Sequence, residues 1–262
     1  MAHDLSPIET AKLVAARHAV GLVESGMRVG LGTGSTAAWM VRCLADRMKT
    51  EGLRVTGVPT SRRTADLATE LGIPITTLDE AKWLDLTIDG ADEFDAELNL
   101  IKGGGAALLQ EKIVATASDR MIVIADAGKE VAQLGAFPLP VEVIPFGWQT
   151  TRRLIEEMLV GMDVLGHDCR LRLAGDRPLL TDESNYIIDL HLNRIGNARQ
   201  LAMVLNQIPG VVENGLFIDI CDTVIIGHGD GRVTVRDNAG TTQAEDMADL
   251  SEPINIFAEA KG

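Results

Sequence analysis

The sequence predicts an α/β fold: a Rossmann-like open parallel sheet with helices on both faces, carrying an inserted ferredoxin-like α+β domain. Three observations predict it. Up to Asp126, short apolar runs alternate with longer segments of helical period, the pattern of parallel strands covered by helices. From Val141 the order changes to β-α-β-β-α-β, that of the split ferredoxin-like unit. Pro138, Pro140 and Pro145 punctuate the change. The expected domains are residues 1–134 with 213–237, an insert at 135–212, and a tail at 238–262.

The elements follow in order. Ser6-Pro7-Ile8-Glu9 reads as a capping box, with serine as N-cap, proline at the first helical position and glutamate reaching back, so a helix runs on to about Val23. Met27–Leu31 is an apolar strand that enters the glycine-rich stretch GLGTGST. A helix over Thr36–Met48, a strand over Leu53–Val58, a helix over Ser61–Leu71 and strands over Ile73–Thr76 and Trp83–Ile88 come next. Gly105–Ala117 reads as a helix and Met121–Ala125 as a strictly apolar strand. In the insert, strands are expected at Val141–Ile144, Cys169–Leu173, Tyr186–Leu192 and Val211–Phe217. Helices are expected at Gly147–Val160 and Asn197–Gln207, the second ended by Pro209-Gly210. Thr223–Ile226 and Arg232–Val235 read as strands returning to the first domain. The polar tail reads as loosely attached.

Composition narrows the function. A formal charge of −14 repels phosphate backbones and anionic lipid, and 3% aromatic content offers no stacking platform. Neither nucleic acid nor membrane is an expected partner. Three scattered cysteines without CxxC spacing, no signal pattern and no long apolar run suggest a cytoplasmic protein. The five histidines lack ligand spacing, and the acidic run at 89–97 fails the calcium-loop pattern, so no metal is expected.

Four stretches could carry chemistry. GLGTGST (Gly30–Thr36) joins a strand to a helix, where main-chain N–H groups and the helix dipole favour phosphate. It departs from the dinucleotide fingerprint, although Arg62-Arg63 downstream could suit a 2′-phosphate. A tight turn with hydroxyl caps is the plainer reading. Asp89 closes a strand at the carboxyl end of the sheet, and Asp92 follows on the same loop. Glu93, Asp95 and Glu97 read as solvated charge. Lys102-Gly103-Gly104-Gly105 offers an ammonium and main-chain donors for an oxyanion, or else a flexible linker. Glu111 shares a helix face with Ala107, Leu108, Val114, Ala115 and Ser118, opposite Leu109 and Ile113. A carboxylate on a face so apolar should be desolvated and its pKa raised toward that of a general base. The alternative is a paired structural glutamate. Lys12 and Lys129 could each cap an anion or simply lie on the surface.

GTGSTA (32–37), TSRRT (60–64), DGADE (89–93), KGGGAALLQEK (102–112), FPLPVEVIP (137–145) and IPGVVENGLF (208–217) occur together in this order. On these motifs the chain resembles ribose-5-phosphate isomerase, type A, over about residues 8–236. The resemblance implies interconversion of D-ribose 5-phosphate and D-ribulose 5-phosphate in the non-oxidative pentose phosphate pathway, without metal or cofactor. It also implies a homodimer or homotetramer. By motif, Glu111 is the base between C1 and C2, Asp89 assists ring opening, and Asp92 and Lys102 line the sugar site. Thr33, Gly34, Ser35, Thr36 and Lys12 are then phosphate ligands, with Gly90, Ala91, Gly103, Gly104, Gly105 and Lys129 as further substrate contacts. Gln110 is commonly arginine in relatives. Two other readings stay open: a non-catalytic sugar-phosphate sensor, and an NADP-dependent oxidoreductase.

Overall fold

A computed structural model describes residues 5–238 and 242–245. In chain order the elements are α1 (Pro7–Gly21), β1 (Arg28–Leu31), α2 (Ser35–Thr50), β2 (Thr56–Pro59), α3 (Arg62–Glu70), α4 (Leu78–Ala81) and β3 (Leu86–Gly90). Then come β4 (Glu93–Phe94), β5 (Leu100–Ile101), α5 (Leu108–Thr116), β6 (Met121–Asp126) and a 3-10 turn at Ala127–Lys129. They continue with β7 (Leu139–Val143), α6 (Trp148–Leu159), β8 (Asp168–Leu171), β9 (Leu173–Ala174), β10 (Arg177–Pro178) and β11 (Tyr186–His191). The last are α7 (Ala198–Leu205), β12 (Val211–Asn214), β13 (Leu216–Phe217), β14 (Thr223–Gly227), β15 (Val233–Asp237) and β16 (Thr242–Glu245). None of the described helices is long and apolar enough to cross a membrane.

The chain forms two compact units. One takes the residues up to Gly90, Val114–Gly128 and those from Asp222 onward; the other takes Ala91–Ile113 and Lys129–Cys221. The second unit therefore starts well before the expected boundary at residue 135. The reason is strand pairing: β4 and β5 join β13 in a small antiparallel sheet instead of the large one.

The first unit is built on a sheet of order β16-β15-β14-β6-β3-β1-β2. β2, β1, β3, β6 and β14 are parallel, and β15 and β16 add antiparallel at one edge. Side chains alternate across the sheet. Val29, Leu31, Ile88, Ile122, Ile124 and Ile225 pack with Val14, Ala16, Met40 and Leu44 of α1 and α2. A second cluster joins Val58 and Leu84 to Ala81 of α4 and Val114 of α5, so helices cover both faces. From β1 the chain crosses to β2 on one side, whereas β3 lies on the other and leads to β6. The carboxyl ends of β1 and β3 thus flank a topological switch point, where open α/β sheets bind ligands. The glycine-rich loop and Asp89 stand there.

Three local expectations change. Ser6 caps α1 by accepting the Glu9 N–H, but the Glu9 carboxylate binds Lys12 and Trp39 instead of returning to the cap. Ile73–Thr76 is no strand: a single bridge links Ile75 to Gly57, and Pro74 has no N–H to extend a ladder. Of the tail, Thr242–Glu245 is an edge strand on β15; residues 239–241 and 246–262 lie outside the described residues.

The second unit contains β7-α6-β8-β11-α7-β12 with strand order β12-β7-β11-β8, all pairs antiparallel. Ile155 and Leu159 of α6 and Leu201 and Leu205 of α7 pack on Val141, Val143, Ile188 and Leu190. This is the ferredoxin-like arrangement. A small hairpin, β9-β10, separates β8 from β11. The expected strand Val211–Phe217 breaks at Gly215, where a Cβ would lie 2.3 Å from the Lys102 carbonyl oxygen. Beyond the break, β13 pairs with β5.

Candidate active site

The predicted residues divide between the units. In the first, the loop Gly32–Thr36 links β1 to the start of α2, with Gly34 as an N-cap that has no side-chain bond. Ser35 is exposed and Thr36 half-buried. Asp89, at the end of β3, is fully buried; its Oδ1 accepts the N–H groups of Thr33 (3.0 Å) and Gly90 (2.7 Å). Only glycine permits this at position 32, because a Cβ there would sit 2.1 Å from Asp89 Oδ1. The Thr33 hydroxyl is buried against Thr60, Ser61 and Thr64. Those three hydroxyls were not singled out as site residues, and the cue was the TSRRT stretch after β2. Lys12 on α1 is held by Glu9 at 2.7 Å, and Glu9 in turn accepts the Trp39 indole N–H at 2.6 Å. The hydrogen bond from Lys12, and after it the one from Trp39, hold the Glu9 carboxyl below its usual range against the effect of burial.

In the second unit, Asp92 precedes β4 and accepts the Gly104 N–H at 2.7 Å. Gly104 must be small, since a Cβ would lie 2.6 Å from Asp92 Oδ1. Lys102, directly after β5, is 2% exposed, and its Nζ is 3.2 Å from Oε1 of Glu111, itself 3% exposed. The Lys102 main chain donates to the Gly215 carbonyl, and its ammonium lies 5.5 Å from the centroid of the Phe217 ring. The helix carrying Glu111 starts at Leu108, later than expected, because Gly103 and Ala106 take positive φ and turn the chain first. Ala107, Leu108, Val114 and Ala115 are buried as predicted, and Ile113 is exposed. Ala91 is half-buried, Gly105 exposed, and Lys129 ends the 3-10 turn.

The acidic run departs from its expectation. Glu93 is buried and accepts the N–H groups of Gly135 and Phe137. Asp95 is buried and accepts those of Glu97 and Asn99, and burial raises its pKa. Only Glu97 is exposed as expected. An ionised carboxylate is an acceptor only, so it suits loops whose N–H groups lack strand partners.

Sequence reasoning missed the supports of this corner. Arg172 donates to the carbonyls of Gly103 (2.7 Å) and Gly104 (3.3 Å) while paired with Asp189. Lys112 binds Glu213 (2.9 Å) and the Asn214 carbonyl (2.6 Å), 4.9 Å from the same Phe217 ring. Desolvation by burial lowers its pKa. Among the described residues, no group of three or more His, Cys, Asp or Glu is placed to hold a metal ion.

Each unit thus presents one capability. The first offers main-chain donors and hydroxyls at a helix start, and the second a buried carboxylate–ammonium pair beside glycine amides. Comparison with known proteins agrees on one family. Residues 56–231 match the family model of ribose 5-phosphate isomerase A (phosphoriboisomerase A). Ribose-5-phosphate isomerase A of Cereibacter sphaeroides is 73% identical over 259 residues, covering 99% of each chain, and that of Ruegeria pomeroyi is 71% identical over 260 residues at the same coverage. The solved Methanocaldococcus jannaschii ribose 5-phosphate isomerase A superposes with TM-score 0.80 at 43% identity, over 87% of this chain and 99% of that one. A D-ribose-5-phosphate isomerase in complex with phospho-erythronic acid gives TM-score 0.81 at 41% identity, over 88% and 99%. The chain belongs to the ribose-5-phosphate isomerase A family.

Proposed function

We propose that the chain interconverts D-ribose 5-phosphate and D-ribulose 5-phosphate by moving one proton between C1 and C2 through a 1,2-enediolate, with Glu111 as the base. The observation that carries this reading is the buried Lys102–Glu111 pair at 3.2 Å. The shift needs a base that takes the C2 proton and returns it at C1, while the O2 proton passes to O1. It also needs a fixed positive charge for the oxygen that becomes negative in between. Glu111 meets the first need; the Lys102 ammonium, with the N–H groups of Gly103 and Gly105, meets the second.

Asp89 is assigned to opening the furanose, accepting the O1 proton as the C1–O4 bond breaks and C1=O1 forms, and returning that proton to O4. Asp92 orients sugar hydroxyls while holding Gly104. The phosphate falls to the Thr33–Thr36 loop at the start of α2 and to Lys12, with Lys129, Gly90 and Ala91 as further substrate contacts. The solved relative bound to phospho-erythronic acid supports the reaction type. That molecule is a phosphorylated aldonic acid, whose planar carboxylate has the shape and charge of an enediolate. Family membership and net charge also favour a cytoplasmic homo-oligomer with no nucleic-acid or membrane partner.

The test is isomerisation of ribose 5-phosphate in EDTA, wild type against Glu111→Gln, with substrate binding measured for both. Turnover that survives chelation and collapses in a variant still binding substrate is the expected result. Binding without turnover in the wild type would hand the function to a sugar-phosphate sensor. Equal turnover in both proteins would remove Glu111 as the base.

A further inference from the structure

Thr33, Thr60, Ser61 and Thr64 bring their hydroxyls together beneath the loop at the end of β1, all four residues buried. Each hydroxyl has one proton to give, and counting protons orders the group. Thr64 Oγ1 donates to the Gly32 carbonyl at 3.0 Å, and Ser61 Oγ donates to Thr64 Oγ1 at 3.1 Å. Thr33 Oγ1 donates to Ser61 Oγ at 2.8 Å. Thr60 Oγ1 is 2.8 Å from Thr33 Oγ1 and 3.1 Å from the Leu31 carbonyl. That carbonyl accepts both the Thr60 hydroxyl and the Thr60 N–H (3.0 Å) on its two lone pairs, which places Thr60 Oγ1 beside Thr33 at the head of the group. The result is a head-to-tail chain from Thr33 through Ser61 and Thr64 to the Gly32 carbonyl, with the Thr60 hydroxyl seated against its head, and such chains strengthen by mutual polarisation.

Two consequences follow. The Thr33 proton is committed inside the chain, so its side chain has none left for a phosphate oxygen. Gly32 is held from two sides, its carbonyl by Thr64 and its N–H by the Ile88 carbonyl at 3.0 Å, while the next N–H, on Thr33, is fixed by Asp89. Loop geometry is therefore set by buried side chains.

We propose that Thr60, Ser61 and Thr64 are positioning residues that fix the Gly32–Thr36 loop for a phosphate group, and that Thr33 serves in this chain and not as a side-chain ligand. This rests on the reading that the loop holds the substrate phosphate. Ser61 also caps α3 through the Thr64 N–H at 3.2 Å, tying the start of α3 to the start of α2.

The experiment measures kcat and KM for ribose 5-phosphate and the inhibition constant of inorganic phosphate in Thr64→Val, which keeps shape but removes the hydroxyl. Loss of a buried hydrogen bond predicts an increase of about tenfold in both KM and the inhibition constant, with kcat inside about twofold. Thr64→Ser restores the hydroxyl and should return both to wild-type values, and Ser61→Ala serves if the valine variant does not fold. The double variant Ser35→Ala, Thr36→Val tests the underlying reading. If it weakens phosphate inhibition while Thr64→Val does not, the positioning role is overturned and the phosphate loop stands. If neither weakens it, the loop reading falls and this inference with it. A drop in kcat at constant KM, or failure of the serine to rescue, also overturns the proposal.

Discussion

The two units treat charge in opposite ways. The loop of the first unit is made of neutral dipoles: main-chain N–H groups, hydroxyls and a helix start. Asp89, its one buried carboxylate among the described residues, is turned onto two N–H groups. The second unit sets full charges in pairs, Lys102 with Glu111 buried, and Arg172 with Asp189 and Lys112 with Glu213 half-buried. A ligand that brings its own charge and must leave again is matched by dipoles, which hold it without a permanent countercharge. A reaction in which charge appears and vanishes is matched by ionised groups already desolvated and fixed. On the proposed reading, the contrast sets phosphate binding chiefly on the first unit and the proton shift between C1 and C2 on the second.

The largest effect should come from Glu111→Gln. Removing a general base lowers kcat by about 10³-fold, within the usual range for such groups, and KM should stay within about threefold. Steady-state kinetics checks this, and a KM that rises as far as kcat falls would break the division between units. Lys102→Met should follow, and its effect reaches stability as well as rate. It leaves Glu111 buried without its ammonium, a loss of about 3–5 kcal/mol in denaturant unfolding. Adding Glu111→Gln to Lys102→Met should recover most of that loss, because the stranded charge disappears. If the double variant is no more stable than the single one, the pair is not a coupled unit.

In the first unit, Gly32→Ala puts a methyl 2.1 Å from Asp89 Oδ1. Overpacking of this kind costs about 1–3 kcal/mol. Moving Asp89 releases the Thr33 N–H, so KM should rise with the loss of stability. An unchanged KM at reduced stability would show that loop geometry is not what Asp89 provides.

Much of this was legible because it is local. Glu111 could be assigned to an apolar face from helical period alone, and its neighbours are buried as that period requires. The ferredoxin-like order is likewise a succession of local periods. What the sequence hid are contacts between distant segments. Arg172 reaches Gly103 across 69 positions, and Phe217 comes beneath Lys102 only because β13 pairs with β5. The acidic run misled for the same reason. Nothing near Glu93 in sequence announces that Gly135 and Phe137 will present N–H groups to it. A carboxylate-rich stretch looks solvated until the loops it caps are known.

The smallest effect sharpens the contrast inside the second unit. Glu142 on β7 is fully buried, yet its partners are neutral: Thr181 Oγ1 at 2.8 Å and Asn185 Nδ2 at 2.9 Å, both on Oε1. Oε2 has no hydrogen-bond partner among the described residues. Burial raises its pKa above the ordinary 4.5, against the two hydrogen bonds, and the negative charges of Glu183 and Glu213 push the same way. The folded state therefore holds this proton at pH values where the unfolded chain has lost it. Stability from this group is complete below about pH 4.5 and is lost as pH rises through the folded value, since the folded state then binds more protons than the unfolded one. Glu142→Gln cannot ionise, so its unfolding free energy should fall less with pH above 4.5 than that of the wild type. Denaturant unfolding of both proteins across that range measures the difference. Parallel curves would mean that the second unit tolerates a buried carboxylate without a cation. Lys102 would then be needed for the chemistry of Glu111 and not for its burial.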